Sequence, residues 1–280
     1  MEFREVPEAR TGEVRASQRI LDGAINPAKV EPLVSIHSSS AHAASAVAAE
    51  IVDLIEDKPE AVLGLATGGT MVQVYRAVVE TVRARGVDCS GIRTFNLDEY
   101  LGLAPGDERS FRAFMARHLF EPLGLRAGQI NFPDEVEALE EPSAAARSYE
   151  DAICAAGGID LQLLGLGRNG HVAFNEPGSP VNSRTRVVEL ADITRADAAK
   201  AFEGVENTPA RAITMGMATV LEARALRVLA FGASKAEVVR QLLRSAEDPA
   251  SPCTYLRFHH DDVQLHVDGD AAQLITPWGR

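Results

Sequence analysis

The stretch AVLGLATGGT, residues 61–70, joins a short apolar run to two glycines flanked by threonines. A continuous apolar run of this length is typical of a strand that is buried on both faces of a sheet. The segment that follows, from about Met71 to Arg85, is predicted to be a helix. The stretch therefore predicts a buried strand that leads directly into a helix.

The same alternation extends over most of the chain. Further helices are predicted near Ala41–Ile55, Phe111–Phe120 and Ser143–Ala155, and further strands at Ile92–Leu97, Leu161–Leu164, Ala212–Thr214, Leu226–Phe231 and Val263–Val267. Strands that alternate with helices predict an α/β fold, a doubly wound, mostly parallel sheet with helices on both faces. We expect one domain at residues 33–280, preceded by an arm at residues 1–32 in which a short helix is predicted at Val14–Leu21.

Composition narrows the class of protein. The chain has 280 residues, 46% of them apolar, and a formal net charge of −12. That charge argues against nucleic acid or an anionic membrane as a partner, whereas a small anion could still bind where a few cations are focused in a cleft. The apolar runs are too short for a membrane helix and the N-terminus lacks the pattern of a signal peptide, so we expect a soluble cytoplasmic protein. Cys89, Cys154 and Cys253 follow no metal or redox pattern and are interpreted as small buried hydrophobes.

Two segments predict a phosphate site. Thr67, Gly68, Gly69 and Thr70 come between a strand and a helix, where backbone N–H groups, hydroxyls and the helix dipole suit an anion. The alternative is a capping box between Thr70 and Gln73, three residues later. In the second segment, Ser234 and Glu237 also fit a capping box, which would place Lys235 in the first helical turn, against the helix dipole. A bound phosphate would explain that lysine, and a solvent-exposed side chain is the alternative.

A carboxylate follows the strand at residues 92–97. Asp98 and Glu99 are adjacent, so their side chains point in different directions and only one is expected to face a cleft. A carboxylate at this place could move a proton between neighbouring carbon atoms. The alternative is a solvated turn at the start of the next helix.

A histidine lies in the glycine-rich segment GLGRNGHVAFNEP, residues 165–177, directly after the strand at residues 161–164. His171 is the side chain there whose ordinary pKa is near neutrality, and Glu176 follows five residues later. This predicts a general acid/base, and a core histidine in a turn is the alternative.

In a parallel sheet, the carboxyl ends of the strands lie on one edge. The four segments are therefore expected to form a single site for a phosphorylated substrate with acid/base chemistry. No step of such chemistry needs a metal, the histidines lack the spacing of a zinc site, and no nicotinamide-binding fingerprint is present, so no cofactor is predicted.

The chain resembles the glucosamine-6-phosphate deaminase/isomerase family. The resemblance rests on LGLATGGT, FNLDEYLGL, GLGRNGHVAFNEPGS, AITMGMATVLEA and FGASKAE, which occur in order between Val34 and Ala271. It implies an enzyme that isomerises an amino sugar phosphate from aldose to ketose with loss of ammonia, giving fructose 6-phosphate, a hydrolase acting on C–N bonds. A homo-oligomer is compatible with this expectation.

The resemblance also implies roles for single residues. Asp98 would move the proton between C2 and C1, and His171 would open the sugar ring with Glu176 to orient it. Thr67, Gly68, Gly69, Thr70 and Lys235 would bind the phosphate.

The chain departs from the family pattern at two positions of the site. Asn169 stands where many members have an aspartate that completes a relay to the histidine. Its amide oxygen can accept a hydrogen bond from the ring but cannot stabilise an imidazolium as a charge does. Lys200 stands where an arginine contacts the phosphate, so a point charge replaces a bidentate fork.

Three other functions are considered. A galactosamine-6-phosphate deaminase/isomerase would use the same residues and differ in contacts to the C4 hydroxyl. A 6-phosphogluconolactonase is expected to lack the AFNEP segment and the tyrosine of NLDEY, both of which are present. A non-catalytic sugar-phosphate sensor would have lost Asp98, His171 and Glu176.

Overall fold

The computed structural model describes residues 31–275. Its main element is a seven-stranded sheet in the order β1-β10-β9-β6-β2-β3-β5, in which every neighbouring pair is parallel. The strands are β1 (Leu33–His37), β2 (Val62–Leu65), β3 (Arg93–Asn96), β5 (Ile130–Asn131), β6 (Leu161–Gly165), β9 (Ala225–Ala230) and β10 (Val263–Asp268). The predicted parallel α/β sheet is confirmed. The first 30 residues of the predicted arm lie outside the described residues. The helix predicted at Val14–Leu21 is among them.

Helices connect these strands. They are α1 (Ser40–Asp57), α2 (Gly69–Arg85), α3 (Phe111–Met115), α4 (Glu121–Leu123), α5 (Glu137–Glu140), α6 (Pro142–Ala155), α7 (Asp192–Ala198), α8 (Met217–Leu221), α9 (Ala236–Arg244) and α10 (Cys253–His259). The helix expected at residues 111–120 changes at Ala116 from α3 to a π-helical segment, Ala116–Phe120. Within residues 31–275, no helix is long and apolar enough to cross a membrane.

A second, three-stranded sheet was not expected. It consists of β4 (Asp98–Tyr100), β8 (Arg211–Thr214) and β7 (Arg186–Glu189), all antiparallel, in the order β4-β8-β7. The run at residues 212–214 was predicted to belong to the parallel sheet, which is wrong, because β8 pairs with β4, where Asp98 stands opposite Thr214. This pairing fixes the backbone of Asp98 just beyond the carboxyl end of β3.

The core is built from strand residues that are buried on both faces. All four residues of β2 are buried, as are the first four of β6, where the sequence is Leu161-Gln162-Leu163-Leu164. Helices α1 and α2 pack together, with Ala44, Val47, Ile51, Val74 and Val78 among their buried side chains. Burial of both faces explains why β2 and β6 read as continuous apolar runs. Of the cysteines, Cys89 and Cys253 are buried as expected, but Cys154 on α6 is exposed, so the expectation was wrong there.

Candidate active site

A pocket of about 950 Å³ lies at the carboxyl edge of the parallel sheet. It receives side chains from all four predicted segments, which confirms that they converge. Eight of the ten predicted site residues line it: Thr67, Gly68, Gly69, Thr70, Asp98, His171, Lys200 and Lys235. Asn169 and Glu176 are not part of the lining; they lie behind His171, in contact with each other.

The segment between β2 and α2 leaves the start of the helix without a side-chain cap. Gly68 precedes the helix with φ of 105°, a conformation that strongly favours glycine. The alternative, a capping box between Thr70 and Gln73, is absent: Gly68 is the N-cap, and the Gln73 side chain accepts a hydrogen bond from Ser40 Oγ at 3.3 Å. The positive end of α2 is therefore available to an anion in the pocket.

Lys235 reaches the pocket from a different backbone geometry than the one expected. A 3₁₀ turn, Ala233–Lys235, precedes α9, and neither Ser234 nor Glu237 caps the helix, because Glu237 pairs with Arg240. The Lys235 ammonium donates to Leu166 O at 2.6 Å. Burial lowers the pKa of Lys235, as expected for a cation that is partly removed from water.

Lys200 differs from Lys235 in its exposure. It follows α7 at the rim of the pocket and is exposed to solvent. Two arginines of the pocket already have carboxylate partners, since Arg109 pairs with Asp107 and Arg117 with Glu108. Lys200 and Lys235, by contrast, form no ion pair within residues 31–275, so they are the lysines available to neutralise a bound anion.

Asp98 and Glu99 are both buried, so the alternative of a solvated turn is wrong. Glu99 turns toward the start of α3, where its carboxylate accepts hydrogen bonds from the backbone N–H groups of Tyr100, Phe111 and Arg112. Asp98 lines the pocket. Burial, and secondarily the charge of Glu99, raises the pKa of Asp98 well above its ordinary value. A carboxylate that is poorly solvated is a stronger base than one in water, as proton abstraction from carbon requires.

The glycines of the loop after β6 allow the His171 ring to lie against the backbone. A Cβ atom on Gly167 would be 2.3 Å from Nε2 of that ring, and one on Gly170 would be 2.3 Å from Ser251 Oγ. Gly167 N–H also donates to the His171 carbonyl at 3.0 Å. Two residues beyond the histidine, Ala173 has φ of 52°, an uncommon conformation for a residue with a side chain. The backbone is thus bent to present the imidazole to the pocket.

Glu176 is the carboxylate partner of His171. Its Oε2 is 3.5 Å from His171 Nδ1 and accepts a hydrogen bond from Asn169 Nδ2 at 2.9 Å. Its Oε1 accepts a hydrogen bond from Thr194 Oγ1 at 2.5 Å. Burial raises the pKa of Glu176, but the nearby His171 imidazole and the hydrogen bonds from Thr194 and Asn169 outweigh it, so the net pKa is lowered. The carboxylate is therefore held in its ionised form.

The Asn169 side chain is not hydrogen-bonded to the imidazole ring of His171. Its Oδ1 accepts from the backbone N–H of His171 at 3.3 Å, while its amide nitrogen is directed to Glu176. The hydrogen bond that the Asn169 oxygen could accept from the ring is therefore not formed. The Asn169 side chain therefore contacts the backbone of His171 directly and reaches its imidazole through Glu176.

The sequence did not single out two groups that belong to the site. Thr194 is a buried residue of α7, and no motif marks it. A cluster of aromatic rings forms one wall of the pocket, with Tyr100 against Phe111, Phe174 and Phe202 at centroid distances of 4.5–5.5 Å. The tyrosine of NLDEY was noted only as a family signature; its packing explains why an aromatic residue stands there.

The site combines three chemical capabilities. It can bind an anion between the start of α2 and two lysines, it has a buried carboxylate to take a proton from carbon, and it has a histidine–glutamate pair to exchange a proton with an oxygen atom. Among the described side chains, no group of three or more His, Cys, Asp or Glu residues is placed to hold a metal ion.

Comparison with known proteins agrees with this geometry. Residues 36–265 match the family model of glucosamine-6-phosphate isomerases/6-phosphogluconolactonase. The glucosamine-6-phosphate deaminase of Rhodopirellula baltica is 45% identical over 90% of this chain and 98% of its own length, and that of Hahella chejuensis is 42% identical over 81% and 86%.

Solved structures give the same result for the fold. A monomeric glucosamine-6-phosphate deaminase superposes with a TM-score of 0.81 at 36% identity, over 86% of this chain and 99% of that one. The 6-phosphogluconolactonase of Leishmania guyanensis shares the fold, with a TM-score of 0.71 at 22% identity over 88% and 99% of the two chains. The chain is a member of the glucosamine-6-phosphate isomerase/6-phosphogluconolactonase family.

Proposed function

We propose that this protein is a glucosamine-6-phosphate deaminase, which converts glucosamine 6-phosphate and water to fructose 6-phosphate and ammonia. The observation that carries the proposal is the buried carboxylate of Asp98, which lines the same pocket as His171 and the predicted phosphate cradle. An aldose–ketose isomerisation needs a base at carbon, whereas hydrolysis of a lactone does not. The relatives with 40–45% identity are also named as glucosamine-6-phosphate deaminases.

The phosphate is bound in the ground state and throughout the reaction. The N-terminus of α2, with Thr67 to Thr70, and the ammonium groups of Lys235 and Lys200 would contact it. These contacts would orient the sugar with C1 and C2 toward Asp98 and its ring oxygen toward His171.

Acid/base chemistry then proceeds in three steps. His171 donates a proton to the ring oxygen as the bond from that oxygen to C1 breaks, and the C1 hydroxyl passes its proton to water, which gives the open aldehyde. Asp98 removes the proton from C2 as the aldehyde oxygen takes up a proton from water, and the same carboxyl group then protonates the resulting enolamine at C1, which leaves an iminium group at C2. Water then adds to the iminium carbon at C2, ammonia leaves, and the ketone of fructose 6-phosphate remains. This net use of water makes the enzyme a hydrolase of a C–N bond.

Glu176 and Asn169 support the first step. Glu176 stabilises the protonated imidazole and fixes its orientation, and Asn169 holds the carboxylate through its amide nitrogen. Neither residue lines the pocket, so we assign them no contact with substrate.

A parallel assay of three substrates tests the proposal. Glucosamine 6-phosphate should give ammonia and fructose 6-phosphate in equal amounts, with a kcat/KM at least tenfold above that for galactosamine 6-phosphate. 6-Phosphogluconolactone should be hydrolysed no faster than in buffer. Preferential turnover of galactosamine 6-phosphate would correct the substrate, and lactone hydrolysis without ammonia release from either amino sugar would overturn the proposal.

A further inference from the structure

The hydroxyl group of Thr194 lies between the two members of the proton-transfer pair. Its Oγ1 donates to Glu176 Oε1 at 2.5 Å and is 3.4 Å from His171 Nδ1. The direct approach of His171 Nδ1 to Glu176 Oε2 is 3.5 Å, longer than an ordinary N–H···O hydrogen bond. A hydroxyl has one proton to donate and two lone pairs, so Thr194 can donate to the carboxylate and accept from the ring at the same time.

Thr194 belongs to the segment that also brings Lys200 to the pocket. It is a buried residue of α7 that itself lines the pocket, as do Asp197, Ala198 and Lys200 further along the same segment. The other contact of this segment with the pair is the Ala191 N–H, 3.4 Å from Glu176 Oε1. The Thr194 hydroxyl is thus the short polar link between α7 and Glu176.

The geometry points to Thr194 as a positioning residue that bridges Glu176 and His171 and fixes this pair to the helix that precedes Lys200. This inference rests on the proposed function of the pocket. Thr194 acts through Glu176, and the proton itself is exchanged by His171.

The electrostatic surroundings of Glu176 support the assignment. Among the described residues, His171 is the titratable group that faces Glu176, and its remaining polar contacts, from Asn169, Thr194 and Ala191, are neutral donors. The Thr194 hydrogen bond is one of those that lower the pKa of Glu176 against the effect of burial. Removing the donor therefore raises the pKa of Glu176, and the ionised pair is lost at a higher pH.

Three variants separate this role from a structural one. Thr194→Val removes the hydroxyl with little change of shape, and Thr194→Ser keeps it. Thr219→Val is the matched control, because Thr219 is another buried threonine, whose Oγ1 donates to the Glu150 carboxylate at 2.6 Å outside this pocket. For each, kcat and KM for glucosamine 6-phosphate are measured from about pH 3.5 to pH 8, so that the range includes the pH at which Glu176, with its lowered pKa, takes up a proton.

In Thr194→Val, we expect the acid limb of the kcat/KM profile to move up by about one pH unit. At pH values below the limb kcat should be lower than in the wild type, whereas KM should stay within about twofold of the wild-type value. Thr194→Ser and Thr219→Val should follow the wild-type profile. The inference is overturned if Thr194→Val has the wild-type profile, if it changes KM alone, or if Thr194→Ser or Thr219→Val shifts the limb equally.

Titration of the Glu176 carboxyl carbon by NMR tests the link without turnover, with Glu176→Gln identifying the resonance. The apparent pKa should rise in Thr194→Val and stay unchanged in Thr194→Ser and Thr219→Val. An unchanged pKa in Thr194→Val overturns the inference even if the wild-type enzyme is active. A wild-type protein that does not release ammonia refutes the proposed function instead, and the titration then decides on Thr194 alone.

Discussion

The two lysines of the pocket should contribute unequally to phosphate binding, because they differ in burial. Lys235 is partly buried and held by a hydrogen bond to Leu166 O, whereas Lys200 is exposed at the rim. Replacing each lysine by methionine removes the charge and keeps most of the aliphatic stem. We expect Lys235→Met to raise KM strongly and Lys200→Met to raise it weakly.

The magnitudes follow from the two environments. A hydrogen bond to a charged group in a partly buried site contributes about 1.5–3 kcal/mol, which at about 1.4 kcal/mol per tenfold change corresponds to a rise in KM of about ten- to 150-fold for Lys235→Met. An exposed ion pair contributes up to about 1 kcal/mol, or about fivefold for Lys200→Met. Because the phosphate is bound alike in ground state and transition state, kcat should change little in either variant.

Steady-state kinetics with glucosamine 6-phosphate measure these effects, and competitive inhibition by inorganic phosphate isolates the anion contact. Lys58→Met is the matched control, since Lys58 pairs with Asp160 and neither lines the pocket. It should lower the melting temperature without changing KM. Equal KM values for the two pocket variants, or a large loss of kcat with KM unchanged in Lys235→Met, would refute the assignment of Lys235 to the phosphate.

Three further predictions concern titratable groups. Because burial raises the pKa of Asp98, Asp98→Asn should raise the melting temperature, by an amount that grows as pH increases above about 4; equal melting temperatures at pH 4 and pH 8 would contradict this. Asn169→Asp replaces the donor 2.9 Å from Glu176 by a second carboxylate, so the acid limb of kcat/KM should move up by about one pH unit or more; an unchanged limb would mean that residue 169 does not act through Glu176. Burial and the neighbouring His37 lower the pKa of His266 from 6.5 to about 4. As the pH falls, this histidine is therefore protonated in the unfolded state before it is protonated in the folded state, so the free energy of unfolding of the wild type should fall by about 2 kcal/mol between pH 7 and pH 5. His266→Leu should lose less stability in denaturant titrations over the same range, and an equal loss would exclude His266 as the cause.

The parallel sheet and the place of the site could be predicted because their signals are local. β2 and β6 are buried on both faces, so each reads as an uninterrupted apolar run, and the polar residues that follow must lie at the carboxyl edge. The antiparallel sheet gave no comparable signal. β4 has three residues, two of them carboxylates, and its partner β8 lies far along the chain.

The contacts of single side chains depend on tertiary neighbours and were less predictable. Neither capping box forms, because Gly68 and Lys235 are the N-caps of α2 and α9, and Gln73 and Glu237 bind Ser40 and Arg240 instead. The direction of the Asn169 amide depends on the path of the loop, which places Glu176 next to its nitrogen. Spacing in sequence shows which groups are near one another, but not which atom of each faces which partner.

The exchange of the C2 proton of glucosamine 6-phosphate in D₂O tests most directly whether Asp98 is the base of a deaminase. The wild-type enzyme should release ammonia, form fructose 6-phosphate that carries deuterium at C1, and incorporate deuterium at C2 of recovered substrate. In Asp98→Asn, the rate of ammonia release and the rate of deuterium incorporation at C2 should each fall by a factor of about 10²–10⁴. The dissociation constant of the substrate should stay near the wild-type value. Exchange at the wild-type rate in Asp98→Asn would contradict the account and place the base elsewhere.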